Sequence, residues 1–208
     1  MTRIIETDAD VAEGAEWLAR RCPRMAHAHD LCAPLPLRRR PDGFAQLLGA
    51  IVSQQVSVAS ARAIWGRLEQ AGLTTPEAIL ALSQDELRSH GLSRQKATYA
   101  QALAAAGIDY DRLRDASTDE VVKTLTAVKG IGVWTAEIYA KFSLGHADVF
   151  AAGDLALQEA ARMLYDLPER PGERALRRMA EDWSPWRSVA ARMLWAYYHV
   201  EKQREGIA

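Results

Sequence analysis

Two features of this chain have the residue types and spacing for chemistry: the run Lys129-Gly130-Ile131-Gly132-Val133-Trp134 and, a short distance on, Asp154. Glycine tolerates positive φ and close approach of another backbone, so Gly130 and Gly132 let the chain reverse within a few residues. Leu125 and Val128 before the turn, Ile131 within it and Thr135-Ala136 after it complete a helix–hairpin–helix pattern, with Ile131 plugging the two helices. The amides of Gly132, Val133 and Trp134 then face outward at a helix start, where the macrodipole favours an anion, and Lys129 adds a nearby cation. Asp154 follows an apolar helix and the run Asp148-Val149-Phe150-Ala151-Ala152-Gly153. By type it suits the N-cap of the next helix, a role compatible with catalysis. A backbone grip for phosphate with a carboxylate downstream suits the processing of DNA.

The elements that must position these residues read as helices from end to end, with strand alternation nearly absent. Thr7 or Asp8 caps a first helix reaching Cys22, with Val11, Ala15, Leu18 and Ala19 on one face. Pro34, Pro36 and Pro41 make a connector. Apolar helices follow over about 44–53 and 57–70, the second stopped by Gly72. Thr75-Pro76 starts another helix, Ser83 with Glu86 forms a capping box ended by Gly91, and Ser93 opens a helix ended by Gly107. Ser117 with Glu120 is a second capping box, leading into the hairpin. Helices to about Tyr165, from about Gly172 to Asp182 and from about Pro185 to Lys202 complete an all-α chain.

Composition narrows the rest. With 208 residues, 49% hydrophobic and 25% charged, the chain has enough material for a core, as one domain or two packed lobes. No apolar run approaches a membrane span and the acidic N-terminus does not read as a secretory signal, so the expected compartment is the cytoplasm. Cys22 and Cys32 are too few for an iron–sulfur cluster or a four-cysteine zinc site, and both read as buried small hydrophobes. A net charge of −1 argues mildly against nucleic-acid binding unless cations gather on one face. Of the 26 cations 21 are arginine, which suits phosphate, and Arg38-Arg39-Arg40 reads as a solvated approach to a helix or as a neighbour of DNA.

The chain resembles the helix-hairpin-helix superfamily of DNA glycosylases, and most of all its 3-methyladenine DNA glycosylase II branch. The resemblance rests on Ile51-Val52-Ser53-Gln54-Gln55-Val56-Ser57, Gly91-Leu92-Ser93-Arg94-Gln95-Lys96-Ala97, the hairpin run 129–136, the run 148–154, and Trp183-Ser184-Pro185-Trp186-Arg187-Ser188. These segments span roughly residues 44–200 in the family's order. The resemblance implies a compact two-lobed helical bundle with the base pocket between the lobes. One lobe would hold about 44–115 and the other about 1–40 with 116–208, without the β domain that precedes the helical core in some members.

Residue roles follow from the same resemblance. Asp154 matches the essential aspartate, which supports an oxocarbenium-like sugar and orients or deprotonates water; Asp148 is a rival carboxylate with a structural role. Trp134 stands where strand-cutting relatives carry a nucleophilic lysine, which implies base removal by water alone. Trp195 matches a tryptophan that stacks on the extruded base, with Trp134, Ile138 and Tyr139 lining the pocket, and Ile138 replaces an aromatic of some relatives. Trp183 and Trp186 are expected in the core. Gln55 occupies the wedge position, alternatively a helix-junction position. Gly130, Gly132, Val133, Thr135 and Lys129 would hold the DNA backbone, and the carbonyls of Thr126, Val128 and Ile131 a monovalent cation, Na+ or K+. The expected activity is hydrolysis of the N-glycosidic bond of alkylated purines of the 3-methyladenine and 7-methylguanine type in double-stranded DNA. It would need no redox cofactor, catalytic metal or ATP, and the expected state is a monomer. The alternatives are a non-catalytic DNA-binding module and a glycosylase for deaminated or oxidised bases.

Overall fold

Capping residues start most of the helices. In the computed structural model, which describes residues 3–205, Thr7 caps α1 (Asp8–Arg21) with a reciprocal Asp10 box, and Pro23 opens α2 (Pro23–Cys32). Then come α3 (Phe44–Ser53), α4 (Val58–Gln70, capped by Ser57), α5 (Pro76–Leu80, capped by Thr75) and α6 (Gln84–Ser89), which carries the Ser83–Glu86 box. Next are α7 (Arg94–Ala105, capped by Ser93), α8 (Tyr110–Asp115, capped by Asp109) and α9 (Thr118–Thr126) with the Ser117–Glu120 box. After the hairpin lie α10 (Val133–Tyr139) and a π-helical stretch, Ala140–Leu144. The chain closes with α11 (Leu155–Leu164), α12 (Glu173–Met179), a 3-10 turn at Ala180–Trp183, and α13 (Arg187–Glu205). Among the described residues the only strand-like pairing is an isolated bridge between Ile4 and His146, so the all-α reading holds. No described helix is long and apolar enough to cross a membrane.

The chain divides into two compact units, Met1–Arg39 with Ala140–Ala208, and Arg40–Tyr139. The break after Tyr139 corrects the expected one near residue 116: the hairpin and its flanking helices belong to the middle unit. The physical reason is that α9 packs on α10 and the ring of Tyr99, from α7, fills the space beside Gly130.

In the terminal unit α13 is the organising helix, with α1, α2 and α11 packed on it. Val11, Leu18, Met25, Leu157, Leu164, Trp183 and Trp186 are buried in the same core as its Leu194, which places Trp183 and Trp186 where the sequence reading expects them. Cys22 and Cys32 are half-buried rather than buried, and the Cys22 thiol lies 3.5 Å from the Tyr165 hydroxyl. Arg38 and Arg39 are exposed. Beside them Arg192, from α13, is 3% exposed and donates to the Leu37 carbonyl at 3.1 Å and to the Ser188 carbonyl at 3.0 Å. Burial, with the charges of Arg38 and Arg39 adding to it, lowers its pKa to about 10.

In the middle unit α7 has the corresponding place, packed on α3, α5 and α6. The apolar stripe of α3, Leu47, Leu48, Ile51 and Val52, is fully covered.

Candidate active site

Asp154 is the N-cap of α11. Its Oδ1 accepts from the amides of Ala156 (2.9 Å) and Leu157 (3.1 Å), satisfying two of the helix's first N–H groups. The same oxygen accepts from the indole Nε1–H of Trp195 at 3.3 Å. The capping role and a fixed, half-buried carboxylate are therefore one arrangement, with three N–H donors holding one oxygen in place. Trp195 is half-buried, and the ring of Phe142 stacks on it at 5.8 Å between centroids, inclined by 23°. The Lys141 ammonium lies 4.4 Å from its ring centroid and 5.7 Å from that of Phe150. Trp195 is thus tied to the carboxylate by its N–H edge and shares its π surface with a lysine that is 0% exposed. Sequence reasoning passed over Lys141 and Phe142. The one available signal was a lysine and an aromatic inside the apolar run before Asp148.

Asp148 is not a second free acid. It makes a two-pronged ion pair with Arg187 (2.6 and 2.9 Å) and accepts from the Ser184 hydroxyl at 2.9 Å. Burial alone would raise its pKa, but the Arg187 and Ser184 hydrogen bonds outweigh that and hold it below the usual carboxylate range. It fastens the segment before Asp154 to the start of α13.

In the middle unit, Gly130 turns the hairpin at φ 98°, and a Cβ there would run into the Tyr99 ring, so the fold itself requires glycine. Gly132 differs: no described atom lies within 4 Å of where its Cβ would be, so packing within the chain does not require glycine there. Its carbonyl accepts from the Ala136 amide, which makes it the cap of α10. The amides that follow are those a helix start leaves without an intrahelical partner. Val133 is 45% and Trp134 47% exposed at that start, and Lys129 is exposed in the turn. Thr135, from the expected DNA-binding set, is buried.

The pocket assignments divide. Ile138 is half-buried. Tyr139 is 3% exposed and its hydroxyl accepts from the Gly43 amide at 2.8 Å, while burial raises its pKa to about 12. That is a core anchor of the middle unit, and its expected place in the base pocket is corrected accordingly. Thr126 ends α9, where carbonyls lack intrahelical partners; the Val128 carbonyl accepts from the Ile131 amide at 3.1 Å and keeps a second lone pair.

Gln55 follows α3 in the left-handed region, φ 55°, and is exposed along with Val56 and Val58. A non-glycine residue in that region is strained and is held by its surroundings. Its neighbour Gln54, which the site reading did not single out, donates from Nε2 to the Gly130 carbonyl at 3.0 Å.

The chain as a whole is similar to known proteins. Residues 48–185 match the model of the HhH-GPD superfamily base excision DNA repair proteins. The chain is 31% identical to DNA-3-methyladenine glycosylase 1 of Schizosaccharomyces pombe over 165 residues, covering 75% of this chain and 72% of the relative. A crystal structure of a DNA-3-methyladenine glycosidase from Bacillus halodurans superposes with TM-score 0.81 at 33% identity, covering 97% of this chain and 94% of the other. The S. pombe 3-methyladenine DNA glycosylase Mag1, solved in complex with abasic DNA, superposes with TM-score 0.76 at 28% identity, over 88% of this chain and 95% of its own. With the capped carboxylate, the hairpin and these matches together, the chain belongs to the HhH-GPD superfamily of base excision DNA repair proteins.

Proposed function

We propose that this protein is a DNA glycosylase that removes alkylated purines from double-stranded DNA by hydrolysing the N-glycosidic bond. The observation that carries the reading is Asp154, a carboxylate held by two backbone amides and an indole N–H in a chain that also presents a helix–hairpin–helix turn. The amides from Gly132 onward, with Lys129, take a backbone phosphate. The damaged nucleotide leaves the stack, and Gln55 fills the gap. An alkylated purine of the 3-methyladenine or 7-methylguanine type is cationic, so its bond to the sugar is already weakened. As that bond breaks, positive charge moves to the sugar, and the fixed carboxylate of Asp154 stabilises it and orients the attacking water. By residue type, Trp134 and Trp195 each suit a cationic ring out of water, a contact worth roughly 1–2 kcal/mol.

The finer parts of the reading are supported by residue type. Trp134 cannot form a Schiff base, which supports base removal without strand cleavage. The carbonyls of Thr126, Val128 and Ile131 suit a hard monovalent cation, Na+ or K+, beside the phosphate grip.

The test is a panel of duplexes, each with one alkylated, deaminated or oxidised base, with released bases identified by mass spectrometry. The wild type is expected to release alkylated purines and leave intact abasic strands. Asp154→Asn should slow release by roughly 10²–10³-fold, the scale of removing one preorganised electrostatic group. It should still bind a duplex carrying an abasic analogue. Release unaltered by Asp154→Asn would take that carboxylate out of the reaction, and no release from any wild-type duplex would leave a binding module in place of an enzyme.

A further inference from the structure

Three contacts in the middle unit converge on the turn that carries Gln55. The C-terminal carbonyls of α3 lack intrahelical partners and form the negative end of its dipole. Lys96, 8% exposed on α7, sends its ammonium to one of them, the Val52 carbonyl, at 2.7 Å. One turn further along α7, Tyr99 fills the space beside Gly130 in the hairpin, its hydroxyl held by Gln95 at 2.6 Å. Gln54 closes the triangle, its side-chain amide donating to the Gly130 carbonyl while its own amide donates to the Ile51 carbonyl at 3.2 Å. Between these fixed points Gln55 stands exposed in a left-handed conformation. A turn left to itself would relax from that conformation; this one is fastened on both the α3 side and the hairpin side.

We propose that Gln54 and Lys96 are positioning residues that lock the Gln55 turn to the hairpin, so that seating a phosphate on the Gly132 amides and driving Gln55 into the base stack are one movement. This rests on the reading of the chain as a base-extruding glycosylase with Gln55 as its wedge. Neither residue touches the reacting atoms. Their effect falls on extrusion, and it disappears when the lesion is already out of the stack.

The experiment compares wild type, Gln54→Ala and Lys96→Met in single-turnover excision of 7-methylguanine, paired with cytosine or placed opposite a tetrahydrofuran abasic analogue. 2-Aminopurine beside the lesion reports unstacking by stopped-flow fluorescence. Misplacing a positioned group costs roughly tenfold or more, so each variant should slow excision from the paired duplex about tenfold and the fluorescence rise with it. With the unpaired lesion, which is cheap to extrude, the loss should be less than about twofold. Equal losses on both substrates, or none on either, would overturn the proposal. Circular dichroism checks folding, and if Lys96→Met does not fold, the half-buried Gln54→Ala carries the comparison alone. If wild type unstacks the base but releases nothing, the glycosylase reading fails separately. The fluorescence then decides this proposal: a rise slowed about tenfold by Gln54→Ala supports it, and an unaltered rise ends it.

Discussion

At the scale of single residues, Trp195 has two uses that can be separated. Its indole N–H holds Asp154 at 3.3 Å, and its ring is stacked with Phe142 and faced by Lys141. Trp195→Phe keeps an aromatic ring and removes the N–H. A hydrogen bond to a charged group contributes on the order of 1.5–3 kcal/mol, and at this length the low end applies, so kcat should fall roughly tenfold with KM little altered. An unchanged kcat would mean that the two α11 amides hold the carboxylate by themselves. Asp154 was legible in the sequence because an acid before a helix and after a helix–hairpin–helix pattern carries its own context. The Trp195 contact was not, since 41 residues separate the partners and no local pattern records which edge of an indole faces a carboxylate. Tyr139 was misread for a related reason: adjacent positions on a helix point to different faces, and this one turns inward to the Gly43 amide.

At the scale of elements, legibility followed locality. The Ser83 and Ser117 capping boxes and the Thr75 and Ser93 caps all sit where the sequence puts them, because a cap is a bargain among residues three apart. The sequence pattern singled out neither α2 nor α8: α2 buries only Met25 and Ala28, and α8 only Leu113, too little to set up a period. The apolar helix expected after the hairpin ends as the π-helical Ala140–Leu144, a change of winding that composition does not encode. The loop from there to Asp154 depends on Asp148, whose side chain is 30% exposed and that of Arg187 32%. Breaking a fully buried pair costs about 3–5 kcal/mol and a surface pair about 0–1, so Asp148→Ala should destabilise the protein by roughly 2 kcal/mol. Urea unfolding measures this. Loss of excision far beyond the loss of folded protein would instead return Asp148 to the catalytic candidates.

Across the whole molecule, the response to acid follows from a charge the fold keeps out. His146 is 0% exposed, its amide bonded to the Ala140 carbonyl and its carbonyl to the Ser188 hydroxyl. Burial, with the Arg39 charge adding to it, lowers its pKa from 6.5 to about 4. The depressed value fixes the sign. Above about pH 6.5 the imidazole is neutral in folded and unfolded chains alike, and the site costs nothing. Between there and about pH 4 the unfolded chain takes up a proton that the folded one refuses, so stability falls with pH at up to about 1.4 kcal/mol per unit. From about pH 7 to about pH 5 this one group should remove on the order of 2 kcal/mol. Carboxylates such as Asp148 lose their contribution only at lower pH, because their folded values lie below the ordinary range. His146→Leu retains both main-chain hydrogen bonds and removes the titrating ring. Urea unfolding series at the two pH values should therefore show a clear loss for wild type and a much smaller one for the variant. Parallel losses would mean that the ring gains a proton within the fold and that the terminal unit accommodates its charge.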